Sequence, residues 1–229
     1  MSDEIPNEPL PAATVVPLRE GPQGSEVLLV QRIKRDGSPG IWVFPGGKFE
    51  DRDRIGDPGS EAAVIETAKR AGVRETEEEA GFSLEPESLG LIARWITPSV
   101  VRNRFDTWFF AAEVQPDVEV KVDGLEMRDH RWLRPSDALE ARLHGAIDLA
   151  PPTLVTIHWL AEHATVKQTL DALVRESVPK IEPNICRVEG GACMLYPGDA
   201  GYQTGDVEAA GGRNRMWNIG GEWRYEKRG

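Results

Sequence analysis

Between Arg74 and Phe82 the chain reads Arg-Glu-Thr-Glu-Glu-Glu-Ala-Gly-Phe, which crowds four glutamates into five positions. Ser60, a residue type that caps helix starts, and Gly81, a helix stop, bracket the segment, so one helix is expected from about residue 61 to 80. On that helix Glu75, Glu78 and Glu79 are spaced i, i+3 and i+4 and share a face, while Glu77 points elsewhere. Like charges at these spacings cost ~0.2–0.5 kcal/mol per pair, and a helix C-terminus disfavours anions further. A charge run is more often a solvated face, but this one calls for a compensating cation. Arg74 and Lys69 offset part of the repulsion. One guanidinium cannot neutralise three carboxylates, whereas hard dications, Mg²⁺ or Mn²⁺, can. Such ions usually keep waters and bind phosphates, which points to attack of water on a phosphate or pyrophosphate ester.

The rest of the chain is read as strands alternating with helices, which favours an α/β architecture. Strands are expected at Thr14 to Leu18 and Glu26 to Ile33, joined across Gly21-Pro22-Gln23-Gly24, and the Val27-Leu28-Leu29-Val30 run predicts burial on both faces. A short strand, Ile41 to Phe44, is expected to stop at Pro45-Gly46-Gly47. Further strands are expected at Leu89 to Ile96, Thr107 to Val114 and Met127 to Leu133, followed by helices from Pro135 to about Arg142, over Leu154 to Leu160 and over Val166 to Glu176. Beyond Pro179 come short strands and glycine-rich turns, with a hairpin about Gly220-Gly221. The organisation is thus a flexible acidic leader (1–12), a main domain (13–178) and a C-terminal extension (179–229) that packs on the domain or forms a dimer surface.

A net charge of −11 repels phosphate backbones, so nucleic acid is not an expected partner. No apolar stretch approaches the ~18 residues that span a bilayer, and the leader lacks a secretory pattern, so no membrane association is expected. Cys186 and Cys193, six residues apart, fit neither a redox pair nor a zinc ribbon; reduced thiols and a cytoplasmic setting follow. Lys227-Arg228-Gly229 is not a peroxisomal address. The four histidines form no ligand pair, and Trp42, Trp95 and Trp108 are read as core. Asp199 is read as a turn residue.

The segment resembles the signature of the Nudix hydrolases: Gly, five residues, Glu, seven residues, then Arg-Glu-apolar-any-Glu-Glu-any-Gly-apolar. Gly47 is followed after five residues by Asp53, and Arg74 to Phe82 fits the second half, with Thr76 at the apolar position. Two departures stand out. Asp53 replaces Glu, and twenty residues rather than seven separate it from Arg74, an insertion of thirteen. The resemblance implies a Nudix-type α-β-α sandwich with a mixed sheet and a C-terminal extension. It makes Glu75, Glu78, Glu79 and the Gly47 carbonyl metal ligands for Mg²⁺ or Mn²⁺, and Arg74 an orienting ion-pair partner. Asp53 supports the loop or reaches a metal through water. Glu78 and the off-motif Glu126 are the candidates for general base.

Outside the signature, Phe44-Pro45-Gly46-Gly47, Trp95-Ile96-Thr97-Pro98, Arg104 to Phe110, Pro151-Pro152-Thr153 and Tyr196-Pro197-Gly198-Asp199 look like the branch holding peroxisomal coenzyme A diphosphatases and their bacterial relatives. Leu28 to Arg32 with Gly40 partly matches a coenzyme A signature. The resemblance implies a small-molecule nucleotide substrate, coenzyme A or acyl-coenzyme A, with a 3′-phosphate that needs basic groups. Arg32, Lys34, Arg35, Arg102 and Arg104 can supply them, and Arg32, Arg35, Arg104 and Phe44 are taken as substrate-binding. Arg104 with Asp106 equally fits a structural ion pair. The alternatives are hydrolysis of ADP-ribose or NADH by the same metal chemistry, and a non-catalytic nucleotide-binding module.

Overall fold

The uninterrupted apolar run near the start becomes the centre of a sheet: Val27, Leu28, Leu29 and Val30 are all fully buried. The computed structural model describes residues 8–175 and 177–229. Along the chain run β1 (Leu10–Gly21), β2 (Gly24–Ile33), β3 (Pro39–Val43), β4 (Gly46–Lys48), α1 (Glu61–Ala80), β5 (Gly90–Ile96), β6 (Phe105–Glu113), β7 (Met127–Leu133), α2 (Pro135–Leu143), α3 (Pro151–Leu160), α4 (Val166–Arg175), β8 (Lys180–Ile181), β9 (Asn184–Val188), β10 (Gly191–Leu195), β11 (Arg213–Ile219) and β12 (Glu222–Arg228).

Residues 11–93 and 107–179 form one compact unit. Its strands follow the order β3-β2-β1-β6-β5, with β7 also on β2 and β4 also on β1. The expected turn at Gly21 to Gly24 closes the β1–β2 hairpin. One expectation needs correction. Leu10, Ala12 and their neighbour, assigned to the leader, already belong to β1; the leader's first seven residues lie outside the described ones. The strand before Pro45-Gly46-Gly47 stops at Val43, as expected, and the two glycines open a separate strand, β4. They pair with β1 through Thr14↔Gly46 and Ala13↔Gly47, since glycines without side chains can lie against a neighbouring strand.

Helix α1 runs as its bracketing residues predict, and Gly81 ends it with φ 79°, its N–H donating to the Glu77 carbonyl. Ser60 sits at the N-cap, yet its side chain makes no capping hydrogen bond. Ala68 and Ala71 pack into a buried cluster with Ala13 and Val15 of β1, Trp108, Phe110 and Ala112 of β6, and Leu89. A second cluster joins Ala80, at the other end of α1, to Leu28 and Val30 of β2 and Met127 of β7. Small side chains let the helix lie close to the sheet, and the two clusters fix where its acidic end meets β2 and β7.

The other unit comprises residues 94–106 and Lys180–Gly229 with residues 8–10. Here β8 runs parallel to the end of β5, and β9 to β12 form an antiparallel sheet in the order β12-β11-β10-β9. The hairpin expected about Gly220-Gly221 is β11–β12. Asp199 is more than a turn residue: it is buried and holds the equally buried Arg215 through two bonds, 2.7 Å from Nε and 2.6 Å from Nη2. Cys186 and Cys193 are free thiols on facing positions of β9 and β10. Among the described residues no helix is long and apolar enough to cross a membrane.

Candidate active site

Arg74 organises the acidic end of α1. Its Nε and Nη2 each lie 3.0 Å from one oxygen of Asp53. Nη1 donates to Glu75 Oε1 at 2.8 Å and Glu78 Oε2 at 2.9 Å, and Nη2 also donates to the Lys48 carbonyl at 2.9 Å. All five N–H groups of the guanidinium thus have acceptors. Burial works against the charge of Arg74, but its bonds to Asp53 and Glu75 outweigh that and raise its pKa. Burial likewise pushes Asp53 upward, and the bonds from Arg74 and from the Glu50 N–H outweigh it, so Asp53 stays below the usual carboxylate range.

Asp53 therefore bridges the long insertion. It ends a single 3₁₀ turn, Asp51–Asp53, with Glu50 in a reciprocal capping box, and its Oδ2 takes the Glu50 N–H at 2.8 Å. That turn delivers Arg52, which the sequence reading missed, onto Glu78 Oε1 at 2.7 Å and Glu50 at 2.7 Å. Lys69 is not part of the compensation. It pairs with Glu66 one turn away at 3.0 Å, because an i,i+3 neighbour is nearer than the far end of the helix.

Glu75 rests against the backbone of Gly47: a Cβ built at that glycine would overlap the Glu75 carboxylate. Any other residue there would drive the side chain away. Burial raises the pKa of Glu75, with the charges of Glu78 and Glu126 adding to it and Arg74 opposing. Glu79 is 3% exposed. Its Oε2 accepts the Gly46 N–H at 2.8 Å, and Oε1 has the Arg32 guanidinium 4.0 Å away. Burial pushes its pKa up to about 8, Glu75 and Glu126 adding to the rise and the Gly46 N–H and Arg32 opposing it. Glu77 is exposed, as its helical position predicts.

Glu126 comes from outside α1, in the loop entering β7, and Arg32 Nη2 lies 3.3 Å from its Oε2. Arg32 thus stands between Glu79 and Glu126. Six carboxylates (Glu50, Asp53, Glu75, Glu78, Glu79, Glu126) face three guanidiniums (Arg32, Arg52, Arg74), an excess of negative charge that burial makes costly at Asp53, Glu75 and Glu79. The donor set fits a hard dication: it is carboxylate oxygen throughout, with Glu79 buried and lacking a close cationic partner. The shared helix face does not by itself gather the three carboxylates. Among the described residues no three acidic, histidine or cysteine side chains are gathered tightly enough to hold an ion as they stand. Arg74 and Arg52 draw the oxygens of Glu75 and Glu78 toward themselves instead.

The expected substrate-binding residues do not all belong to one unit. Arg32 is at the cluster, and Arg35 is exposed in the turn after β2. Phe44 is 3% exposed, so its ring belongs to the core and has no face for a ligand. Arg104 lies in the other unit, its Nε donating to the Thr97 carbonyl at 2.9 Å and its Nη2 3.4 Å from Glu182. Asp106 is not its partner, because Arg94 grips that carboxylate with bonds of 2.8 and 2.6 Å. Trp42, Trp95 and Trp108 are buried, as read.

The chain is similar to the acyl-coenzyme A diphosphatase NUDT19 of Xenopus laevis, 29% identical over 117 residues, which cover 48% of this chain and 31% of that protein. The human NUDT19 acyl-coenzyme A diphosphatase is 30% identical over 113 residues, 47% of this chain and 30% of that protein. The match therefore spans less than a third of either relative. Among solved structures, a NUDIX hydrolase from Alicyclobacillus acidocaldarius superposes with a TM-score of 0.61 at 23% identity, covering 75% of this chain and 97% of that one, and supports the α/β fold with its mixed sheet. The NUDIX domain family matches residues 8–152, which contain the whole carboxylate cluster, and the chain belongs to that family.

Proposed function

We propose that the protein is a divalent-metal-dependent diphosphatase that splits the pyrophosphate of coenzyme A or acyl-coenzyme A by attack of water. The observation that carries this reading is Glu79, a buried carboxylate facing Glu75 and Glu126 with its nearest guanidinium 4.0 Å away. A pure binding module has no use for mutually repelling carboxylates in that position. Glu75, Glu78 and Glu79, with the Gly47 carbonyl, would hold Mg²⁺ or Mn²⁺. A bound dication supplies Lewis-acid polarisation of the phosphoryl oxygens, charge neutralisation and a lowered pKa for the attacking water.

The chain's own groups do the remaining work. Arg74, with all its donors occupied, orients Glu75 and Glu78 and ties them to the insertion through Asp53. Glu126 is the better candidate for proton acceptor, since Glu78 already accepts from both Arg74 and Arg52. Arg32 on β2, with the exposed Lys34 and Arg35 in the turn after it, supplies basic groups for the substrate's phosphates. Coenzyme A is favoured over other nucleotides by the similarity to proteins named acyl-coenzyme A diphosphatases.

Incubation with coenzyme A, ADP-ribose and NADH, each with Mg²⁺ or Mn²⁺, tests the proposal. Coenzyme A is expected to yield 3′,5′-ADP and a phosphopantetheine half. Faster turnover of ADP-ribose or NADH overturns the substrate assignment, and no turnover of any compound overturns the hydrolase.

A further inference from the structure

We infer that Asp123 is a positioning residue for the reaction, fixing the backbone from which Glu126 reaches the carboxylate cluster. This rests on the reading of Glu126 as proton acceptor. The Asp123 carboxylate turns back on its own loop and meets Glu126 at the backbone. Oδ1 accepts the N–H groups of Leu125 at 3.1 Å, Glu126 at 3.1 Å and Met127 at 2.8 Å, and Oδ2 accepts that of Glu126 at 3.1 Å. Three consecutive amides thus converge on one side chain. The Gly124 N–H closes the loop onto the Met127 carbonyl at 2.9 Å, and the Ile33 N–H of β2 donates to the Glu126 carbonyl at 2.7 Å.

Glu126 is therefore held at both of its backbone polar groups, its N–H by Asp123 and its C=O by β2. The β2–β7 register shifts at this point, from Gln31↔Asp129 to Arg32↔Met127, so one extra residue on β7 is accommodated beside Arg32. Bulges of this kind re-aim side chains near functional sites. The consequence here is that Glu126 Oε2 comes 3.3 Å from Arg32, and Arg32 in turn faces Glu79. The Glu126 side chain itself is two-thirds exposed, with no packing of its own to hold it. Its aim therefore comes from its backbone and from the contact with Arg32. Misplacing a reacting group by ~1 Å can cost ~10²-fold, so the clamp has a catalytic consequence out of proportion to its size.

The replacement of Asp123 by Asn keeps an acceptor oxygen for the three amides; Asp123→Ala removes it. With coenzyme A and Mn²⁺, Asp123→Ala is expected to lower kcat by about tenfold or more with KM changed less than about twofold, and Asp123→Asn to restore most of it. In a Glu126→Gln background Asp123→Ala is expected to add little, because the group it positions is gone. Amide hydrogen exchange at Glu126 and Met127, measured without substrate, is expected to quicken in Asp123→Ala while Tm barely moves. Unchanged exchange overturns the proposal whatever the kinetics, as does a loss that multiplies fully with Glu126→Gln. If Glu126→Gln alone leaves kcat intact while Asp123→Ala lowers it, the proton-acceptor reading fails and the positioning role with it. Quickened exchange in a protein that hydrolyses no panel compound shows the clamp to be structural only and overturns its catalytic role.

Discussion

Arg74 and Asp53 meet in a two-pronged contact, both bonds 3.0 Å long, across twenty-one positions of sequence. The pair closes the long insertion: Asp53 is reached from a 3₁₀ turn, Arg74 from the middle of α1, and the same guanidinium holds Glu75, Glu78 and the Lys48 carbonyl. A lysine has the charge but not the planar fork, and it cannot serve five acceptors at once. Arg74→Lys is expected to lower stability by about 1–3 kcal/mol, read as a urea midpoint shift at constant m, and to lower turnover as well. A variant as stable and active as the parent would show that charge alone suffices at this position.

Asp199 and Arg215 give the other unit its own buried ion pair. Burial pushes Asp199 up, but the bonds from Arg215 and from the Asn214 and Gly201 amides outweigh it and hold its pKa at about 2, against 3.8 ordinarily. A depressed carboxylate pKa contributes stability that is fully present above about pH 4 and is lost as pH falls toward 2. The contribution is on the order of 2 kcal/mol. Urea midpoints of the parent are expected to fall between pH 4 and 2 more steeply than those of Asp199→Asn, which is already destabilised at pH 7 because Arg215 has lost its counter-charge. Parallel pH profiles for the two proteins would contradict this.

What the chain reveals in advance follows the range of the interactions. Helix α1 and its Gly81 stop, β7 and the shared face of Glu75, Glu78 and Glu79 depend on neighbours within a turn or two, and all are written in local spacing. Arg52 on Glu78 and Arg215 on Asp199 are contacts between residues twenty-six and sixteen positions apart, for which no local pattern exists. Arg104 and Asp106 show the converse: they stand i, i+2 where β6 begins, a spacing that invites an ion pair, yet Arg94 holds the aspartate in a better two-bond geometry. Phe44 sits beside a signature glycine pair and reads as a ligand contact, but its burial follows from packing that periodicity does not record. The local sequence thus carries the carboxylate donors, and the tertiary fold decides which arginines guard them.

Glu79 sets a pH dependence of opposite sign. Its folded pKa is raised to about 8 from 4.5, so between those values the folded protein holds a proton that the unfolded chain has released, and stability falls as pH rises. In chelator, Tm is expected to drop through this window, and Glu79→Gln to remove much of the drop, since a glutamine carbonyl can still accept the Gly46 N–H. Saturating Mn²⁺ is expected to flatten the parent's slope by favouring the ionised carboxylate, with proton release on binding detectable by titration calorimetry in two buffers. The same substitution is expected to cut turnover by on the order of 10² or more while the protein stays folded. Turnover within about twofold of the parent would remove Glu79 from the metal site.

Arg52 competes with any cation for Glu78. Its guanidinium lies 2.7 Å from Oε1 but is 60% exposed, so the pair is worth only ~0.2–1 kcal/mol. A dication at Glu78 must displace it or share the carboxylate, and either route costs part of that energy. Arg52→Gln is therefore expected to tighten Mn²⁺ binding by roughly two- to fivefold, as measured by the free-ion signal in electron paramagnetic resonance. Raising the salt concentration is expected to shrink the difference between variant and parent, because an exposed ion pair is screened over a Debye length of about 10 Å at 0.1 M. Arg74→Lys serves as the contrasting case. It removes the buried fork that holds Glu75 and Glu78 in place, so it is expected to weaken Mn²⁺ binding. If Arg52→Gln also weakens binding, Arg52 supports the carboxylates instead of competing for them, and the 3₁₀ turn that carries it is part of the metal-binding framework.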